Sequence, residues 1–248
     1  MPKFFVNKNQ IDGDIIKIAG EDAHHISRSL RMAVGERITV SDNDACEYEC
    51  ALETFGDGFV MAKIENKRQS LAELPIKIHL YQALPKGEKL DLIIQKSVEC
   101  GVYDITPFES ERCIAKVKGD NEDRKTERRN KIALEAAKQC GRAIIPKVNP
   151  TISFDSMIRE ASSFDAMLFC YEGEGTMPLG KVISEIRASR ELNDISIIIG
   201  SEGGFSLAEA QRAECAGSAM IGLGNRILRA ETAAIMVLSC LVYAFELS

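Results

Sequence analysis

The run Asp194-Ile-Ser-Ile-Ile-Ile-Gly-Ser-Glu-Gly-Gly-Phe-Ser-Leu-Ala-Glu209 restricts the fold more than any other part of the chain. Its apolar core, Ile195 to Ile199, predicts a strand buried on both faces, as in parallel sheets flanked by helices. A glycine turn follows at once. Ser206 and Glu209 then have the spacing of a capping box, which predicts a helix starting at Ser206. Glu202 is thereby placed in a turn at the carboxyl end of a buried strand, the edge of an open α/β sheet where ligands bind.

A second glycine turn lies near the C-terminus. Ala219 to Leu223 reads as a short apolar strand, after which Gly222 and Gly224 permit a tight turn or a close ligand approach. From Ala230 the residues are good helix formers, with Glu231 in the first turn, where a carboxylate complements the helix dipole. Arg226 and Arg229 bracket the junction, where unpaired backbone N–H groups also point, so a polar or anionic ligand is expected there. Taken alone, the stretch reads equally well as a plain helix start with two solvated arginines.

A third loop, Glu172-Gly-Glu-Gly175, follows the apolar strand from Asp165 to Tyr171. It lacks the G-x-G-x-x-G spacing and a P-loop lysine, and its carboxylates would repel phosphate; a ribose or an amine suits it better. The loops near 171–175, 200–205 and 222–229 are expected to converge on one pocket.

Upstream, Ile76 to Leu84, Glu88 to Glu99 and Val102 to Phe108 read as strand, helix and strand. Leu90, Ile93, Ile94 and Val98 share one helix face, and such units imply a parallel sheet. Residues 1–70 have a different texture. Short strands at Lys3 to Val6, Ile15 to Ile18, Arg37 to Ser41, Tyr48 to Phe55 and Gly58 to Asn66, separated by turn signals, predict a small β-barrel. One helical segment, Glu21 to Met32, interrupts them. A polar stretch over 67–75 reads as a linker, giving expected domains of 1–70 and 74–248.

The net charge of −6 does not mark the whole chain as a nucleic-acid binder, so RNA contact would have to come from local patches. Residues 112–147 carry eleven Lys and Arg against five Asp and Glu, a net of +6. That is what an RNA-facing surface shows, and equally what a solvated helix face shows. Eight cysteines without a C-x-x-C pair read as reduced thiols, and with three histidines no metal site is expected. The apolar run from Ala233 to Phe245 is shorter than the ~20 residues of a membrane span. No targeting segment is visible, so no membrane partner and a cytoplasmic location are expected.

Gly200-Ser-Glu-Gly-Gly-Phe-Ser206, followed by Leu223-Gly-x-Arg-Ile-Leu-Arg-x-Glu-Thr-Ala233, resembles the RsmE family of the SPOUT methyltransferases. The resemblance extends over Lys86-Gly87, Gln95-Lys96-Ser-Val-Glu99, Gly101-Val102, Ser110-Glu-Arg112 and Glu135 to Arg142, nearly the whole chain. It implies an α/β SPOUT trefoil-knot domain after an N-terminal PUA-like β-barrel. It also implies a homodimer, S-adenosyl-L-methionine as cofactor, the 16S rRNA of the 30S ribosomal subunit as partner, and methylation of N3 of one uridine.

By the same resemblance, the cofactor would be held by Leu168, Tyr171, Glu172, Gly200, Ser201, Glu202 and Gly203. Ile221, Leu223, Gly224, Ile227, Leu228 and Ala233 would complete its site. From their positions, Arg229 is expected to stabilise charge on the base oxygens, and Glu202 to orient the substrate or accept a proton. RNA contacts are expected at Arg28, Arg31, Lys86, Arg112, Arg142 and Arg226. Ser201 stands where the family usually has proline, so a looser turn is expected. A Rossmann-type enzyme would carry its glycine fingerprint near the first βα turn, whereas the turns here cluster in the last third. A non-catalytic ribosome-assembly factor would account for the basic patch but not for the intact Glu202 and Arg226 to Thr232 loops.

Overall fold

The computed structural model describes residues 1–114, 122–189 and 192–248. It divides into two compact units, Met1–Glu73 with Ala137–Ile145, and Leu74–Ala136 with Pro146–Ser248.

In the first unit, β1 (Lys3–Phe5), β2 (Ile11–Asp12), β3 (Ile15–Ala19), β4 (Arg37–Ser41), β5 (Cys46–Phe55) and β6 (Phe59–Gln69) form one sheet in the order β1-β4-β5-β6-β3-β2. The β1–β4 pair is parallel and the others are antiparallel. Alternate residues of the longer strands, among them Ile16, Ile18, Ile38, Val40, Cys50 and Leu52, turn inward onto a single core with Phe4 and Ile26. The helix α1 (Glu21–His24) is shorter than the sequence suggested. Its backbone widens over His25–Ser29 and stops where Arg31 takes a positive φ of 52°.

Residues 137–145, which the sequence assigns to the second domain, pack with the first unit. Ser41 Oγ donates to the Ala143 carbonyl at 2.6 Å, and Lys3 Nζ to that of Gly141 at 2.8 Å. Arg142 fixes the segment most firmly. Its guanidinium donates to Glu73, which also accepts from the N–H groups of Ala143 and Ile144.

The second unit contains β7 (Lys77–Ala83), α2 (Lys89–Glu99), β8 (Asp104–Glu109), most of α3 (Glu122–Cys140), β9 (Lys147–Val148), β10 (Ile152–Ser153) and α4 (Phe154–Ala161). After these come β11 (Ala166–Cys170), β12 (Met177–Pro178), α5 (Leu179–Ser189), β13 (Asp194–Ile199), α6 (Leu207–Cys215), β14 (Ala219–Gly222) and α7 (Ala230–Val242). The strands form a parallel sheet ordered β10-β8-β7-β13-β11-β14-β12, with β9 beside β8. The central strands are buried on both faces, as the apolar runs require: Ile78, Leu80, Leu168, Phe169, Ile195, Ile197 and Ile198 are all fully buried.

The stretch Ala230–Leu247 has the length and composition of a short membrane span. Here α7 packs against β13 and α2 through a buried face that includes Ala234, Val237, Leu238 and Leu241. The helix α4 had not been anticipated from the sequence. The Ser153 hydroxyl caps it by accepting from Ser156 N–H, and Phe154, Met157 and Ala161 are its buried residues.

Candidate active site

The carboxyl ends of β11, β13 and β14 open into one cavity of about 520 Å³, within the range of small-molecule sites. The loops that follow these three strands supply nearly all of its lining, so the glycine turns converge as expected. Tyr171, Glu172, Gly200, Ser201, Gly203, Leu223, Gly224, Ile227, Leu228 and Ala233 of the expected cofactor set line it. Arg112 and Arg226, expected as RNA contacts, line it too.

Three expected cofactor residues are not in the lining. Leu168 and Ile221 are fully buried inside β11 and β14. Glu202 is turned toward α2: its carboxylate accepts from Lys89 Nζ at 2.6 Å and from the Lys86 backbone N–H at 3.3 Å. Partial burial pushes the Glu202 carboxyl up, but the Lys89 ammonium and the backbone N–H groups outweigh it and hold the group below the usual carboxylate range. Glu202 is ionised and committed to these donors, so it is a poor proton acceptor as placed.

Local sequence explains why the turn after β13 is well formed. The capping box is present: Ser206 Oγ accepts from Glu209 N–H and the Glu209 carboxylate accepts from Ser206 N–H at 3.0 Å. Glu209 is buried, and its other oxygen accepts from Glu111 N–H at 2.8 Å. Phe205 anchors the turn below, with its ring centroid 4.2 Å from that of Phe169. Ser201, in the position where proline was anticipated, is buried, and its hydroxyl has no partner. Gly203 packs tightly against the preceding loop: a Cβ would lie 3.0 Å from Arg112 Cβ and 3.1 Å from its carbonyl oxygen, so a larger residue would require Arg112 to give way.

On the C-terminal loop Gly224 has a φ of +92°, which L side chains rarely adopt. Arg229 takes the N-cap position of α7 in an extended conformation, and its carbonyl accepts from Ala233 N–H at 2.9 Å. Its side chain is exposed, carries no ion pair among the described residues, and does not line the cavity.

Several lining residues had no signal in the sequence. Thr176 precedes β12, a two-residue strand that only its pairing with β14 reveals, and Asn225 is a loop residue between more conspicuous neighbours. Cys170 also lines the cavity. Desolvation pushes its thiol up to about 12, so it stays neutral.

Arg28, Arg31 and Lys86 are exposed, as an RNA contact requires. Arg142 is not: it is 4% exposed and its guanidinium is taken up by Glu73, which removes it from the RNA-contact set. The basic patch is thinner than its charge count suggests. Arg128 pairs with Asp91, Arg129 with Glu122 and Lys138 with Asp22, while Lys116 and Lys118 lie outside the described residues. Arg124 and Lys147 are exposed and carry no ion pair among the described residues.

Residues 72–242 match the RNA methyltransferase domain family, and residues 18–65 the RNA methyltransferase PUA domain family. Ribosomal RNA small subunit methyltransferase E of Bacillus subtilis is 34% identical over 251 residues, covering 100% of this chain and 98% of that protein. The protein of the same name from Mesomycoplasma hyopneumoniae is 34% identical, over 96% and 98% of the two chains. The crystal structure of ribosomal RNA small subunit methyltransferase E from Neisseria gonorrhoeae bound to S-adenosyl methionine superposes with a TM-score of 0.86 at 28% identity, covering 99% and 98%. With its glycine turns gathered at the strand ends and its full length matched, the chain belongs to the family of ribosomal RNA small subunit methyltransferase E.

Proposed function

We propose that this protein is an S-adenosylmethionine-dependent methyltransferase that modifies N3 of one uridine in the 16S rRNA of the small ribosomal subunit. In this reading it works in the cytoplasm as a homodimer. The observation that carries it is the single cavity built from three glycine-rich turns at the carboxyl ends of adjacent parallel strands. Relatives are named as methyltransferases of the small-subunit ribosomal RNA, and one of them was solved bound to S-adenosyl methionine.

The cavity fits such a cofactor. At Gly203 a Cβ would crowd Arg112, and at Gly222 it would meet Thr176 Oγ1 at 2.7 Å, so both turns pass close to their neighbours with no side chain of their own in the way. Leu223, Leu228 and Ala233 offer apolar surface, while Glu172 and Asn225 offer polar atoms for a ribose or an amine. When bound, the cofactor supplies a methyl group activated on a sulfonium.

The protein's own part is alignment, since displacement at an activated methyl demands position more than covalent help. Uracil N3 carries a proton at neutral pH, and its loss leaves charge shared with the base oxygens. Arg229, exposed, flanked in sequence by the cavity-lining Leu228 and Ala230, and free of a carboxylate partner among the described residues, is the donor assigned to that charge. Arg28 and Arg31 on the first unit, and Lys86, Arg112 and Arg226 on the second, would meet RNA phosphates. The homodimer is supported by unpartnered apolar side chains at the end of the chain, where Tyr243 and Leu247 are 64% and 67% exposed.

The test is methyl transfer from labelled S-adenosylmethionine to 30S particles lacking the modification, with the labelled nucleoside identified after digestion. Label in 3-methyluridine is the expected result. Cofactor binding without transfer would move the target to another RNA, and the absence of both would favour a role in ribosome assembly without catalysis.

A further inference from the structure

The Ser201–Gly204 turn forms one wall of the cavity; the capping box and Phe205 fix where it ends, while the four residues themselves make few bonds that hold it. Within the turn, Gly204 N–H donates to the Ser201 carbonyl at 2.9 Å, and the Ser201 hydroxyl is unpaired. The remaining ties come from outside. Gln82 Nε2 donates to the Gly200 carbonyl at 3.2 Å, and Arg112 Nη1 donates to that of Gly203 at 3.2 Å. Between these two, the Glu202 side chain leaves the cavity side and reaches the start of α2, where Lys89 Nζ and the Lys86 N–H converge on its carboxylate.

We propose that Lys89 and Glu202 form a strut that sets the Ser201–Gly204 turn in its cofactor-binding conformation, which makes Glu202 a positioning residue and not the group that takes the substrate proton. The inference rests on the cavity being the S-adenosylmethionine site.

A surface ion pair is the competing description, since both side chains are about one-third exposed and such pairs contribute little to stability. Three features separate the strut from that case. The carboxylate has two donors on one short stretch, the loop entering α2 and its first residue, and one of them is a backbone N–H that cannot swing away. Glu202 sits between two glycines and a serine whose hydroxyl makes no bond, so no neighbouring side chain of the turn can substitute for it. The turn also contributes Ser201, Gly203 and Gly204 to the cavity lining, so a shift of its backbone is a shift of the binding surface itself. Loss of the strut should therefore act on cofactor affinity and leave global stability nearly unchanged, whereas an ordinary surface pair would move neither.

The experiment compares wild type, Lys89→Met, Glu202→Gln, the double variant and the charge-swapped pair Lys89→Glu/Glu202→Lys. Calorimetric titration with S-adenosylmethionine gives cofactor affinity, thermal unfolding checks the fold, and kcat on 30S particles is followed against pH at saturating cofactor. Each single substitution is expected to raise Kd about five- to twenty-fold, the double variant no further, because the two residues act as one unit. The charge swap should recover part of the loss. The Glu202→Gln variant should keep the wild-type pH profile of kcat.

Unchanged Kd in both single variants would overturn the strut. So would a Glu202→Gln profile that lacks the wild-type acid limb, since that would make Glu202 the proton acceptor. Wild-type protein that binds no S-adenosylmethionine would instead bring down the cofactor reading beneath the proposal, a result separate from any difference among the variants.

Discussion

Arg142 Nη2 donates to Glu73 Oε2 at 2.6 Å, and Nε lies 3.1 Å from the same oxygen, in an ion pair whose side chains are 4% and 13% exposed. Glu73 is thus the acceptor for a buried guanidinium and for two backbone N–H groups at once. Glu73→Ala would strand all three. Breaking a buried pair from one side costs about 3–5 kcal/mol, and urea denaturation should show a loss of that order for Glu73→Ala. A loss below about 1 kcal/mol would mean that water reaches the site and that the pair is an ordinary surface contact.

Arg229 differs in every respect: exposed, free of a carboxylate partner among the described residues, and at the N-cap of α7. If it stabilises charge on the base only as the reaction proceeds, Arg229→Ala should lower kcat about 100-fold, the loss typical of one fixed donor, with cofactor Kd little changed. Single-turnover kinetics at saturating cofactor read this directly. Near-normal methylation with binding intact would remove Arg229 from the mechanism.

The amino-terminal edge of the sheet, opposite the strand ends that carry the glycine turns, holds a cluster around a buried histidine. His79 Nδ1 and Nε2 lie 3.0 Å from Asp104 Oδ2 and Asp194 Oδ1, and its ring stacks on Phe164 at 4.0 Å between centroids. Burial pushes the imidazole pKa down, but the hydrogen bonds and charges of Asp104 and Asp194 outweigh this and raise it above its ordinary value of 6.5. A group with a raised folded-state pKa gives its full stabilisation below the unfolded pKa and loses it as pH climbs through the folded one. Thermal unfolding should therefore show a larger drop in Tm from about pH 6 to about pH 9 in wild type than in His79→Gln. Parallel pH curves for the two proteins would contradict this.

What the sequence disclosed was whatever depends on neighbours a few positions away. The apolar run Ile195–Ile199, the Ser206/Glu209 capping box and the glycine pattern of 222–224 are local, and the structure realises each. Charge partners are not local. Arg142 reads as a free cation beside a helix-ending glycine because Glu73 stands 69 residues away, and Glu202 reads as a cavity carboxylate because Lys89 is 113 residues distant. The net +6 of 112–147 overstates the free charge for the same reason, since Asp22 and Asp91, which pair with Lys138 and Arg128, lie outside the window being counted. The transfer of 137–145 to the first unit was equally hidden: it depends on Ser41, Lys3 and Glu73 meeting the backbone of that segment.

Exposed arginines on the first unit make a prediction that does not depend on the cavity. Each phosphate neutralised by a cation releases counterions, so Arg28→Ala/Arg31→Ala should flatten the dependence of log K on log salt by about 0.7–0.9 per lost contact. Filter binding to 16S rRNA fragments over a salt series measures the slope. An unchanged slope would take both residues out of the RNA surface.

Gly222 offers the sharpest steric test of the cavity. It ends β14, whose neighbour β12 is preceded by Thr176, and a Cβ built on Gly222 would fall 2.7 Å from Thr176 Oγ1 and 3.4 Å from Thr176 Cβ. The first distance is a collision and the second is ordinary contact, so the clash belongs to the hydroxyl alone. In Gly222→Ala either the hydroxyl or the strand end must yield, and both residues line the cavity. Cofactor Kd should rise about ten-fold, equivalent to about 1.4 kcal/mol. Removing the hydroxyl should remove the conflict, so adding Gly222→Ala to a Thr176→Ala background should cost much less than adding it to wild type. Equal costs in the two backgrounds would show that Gly222 is required for its backbone and not for the space above it.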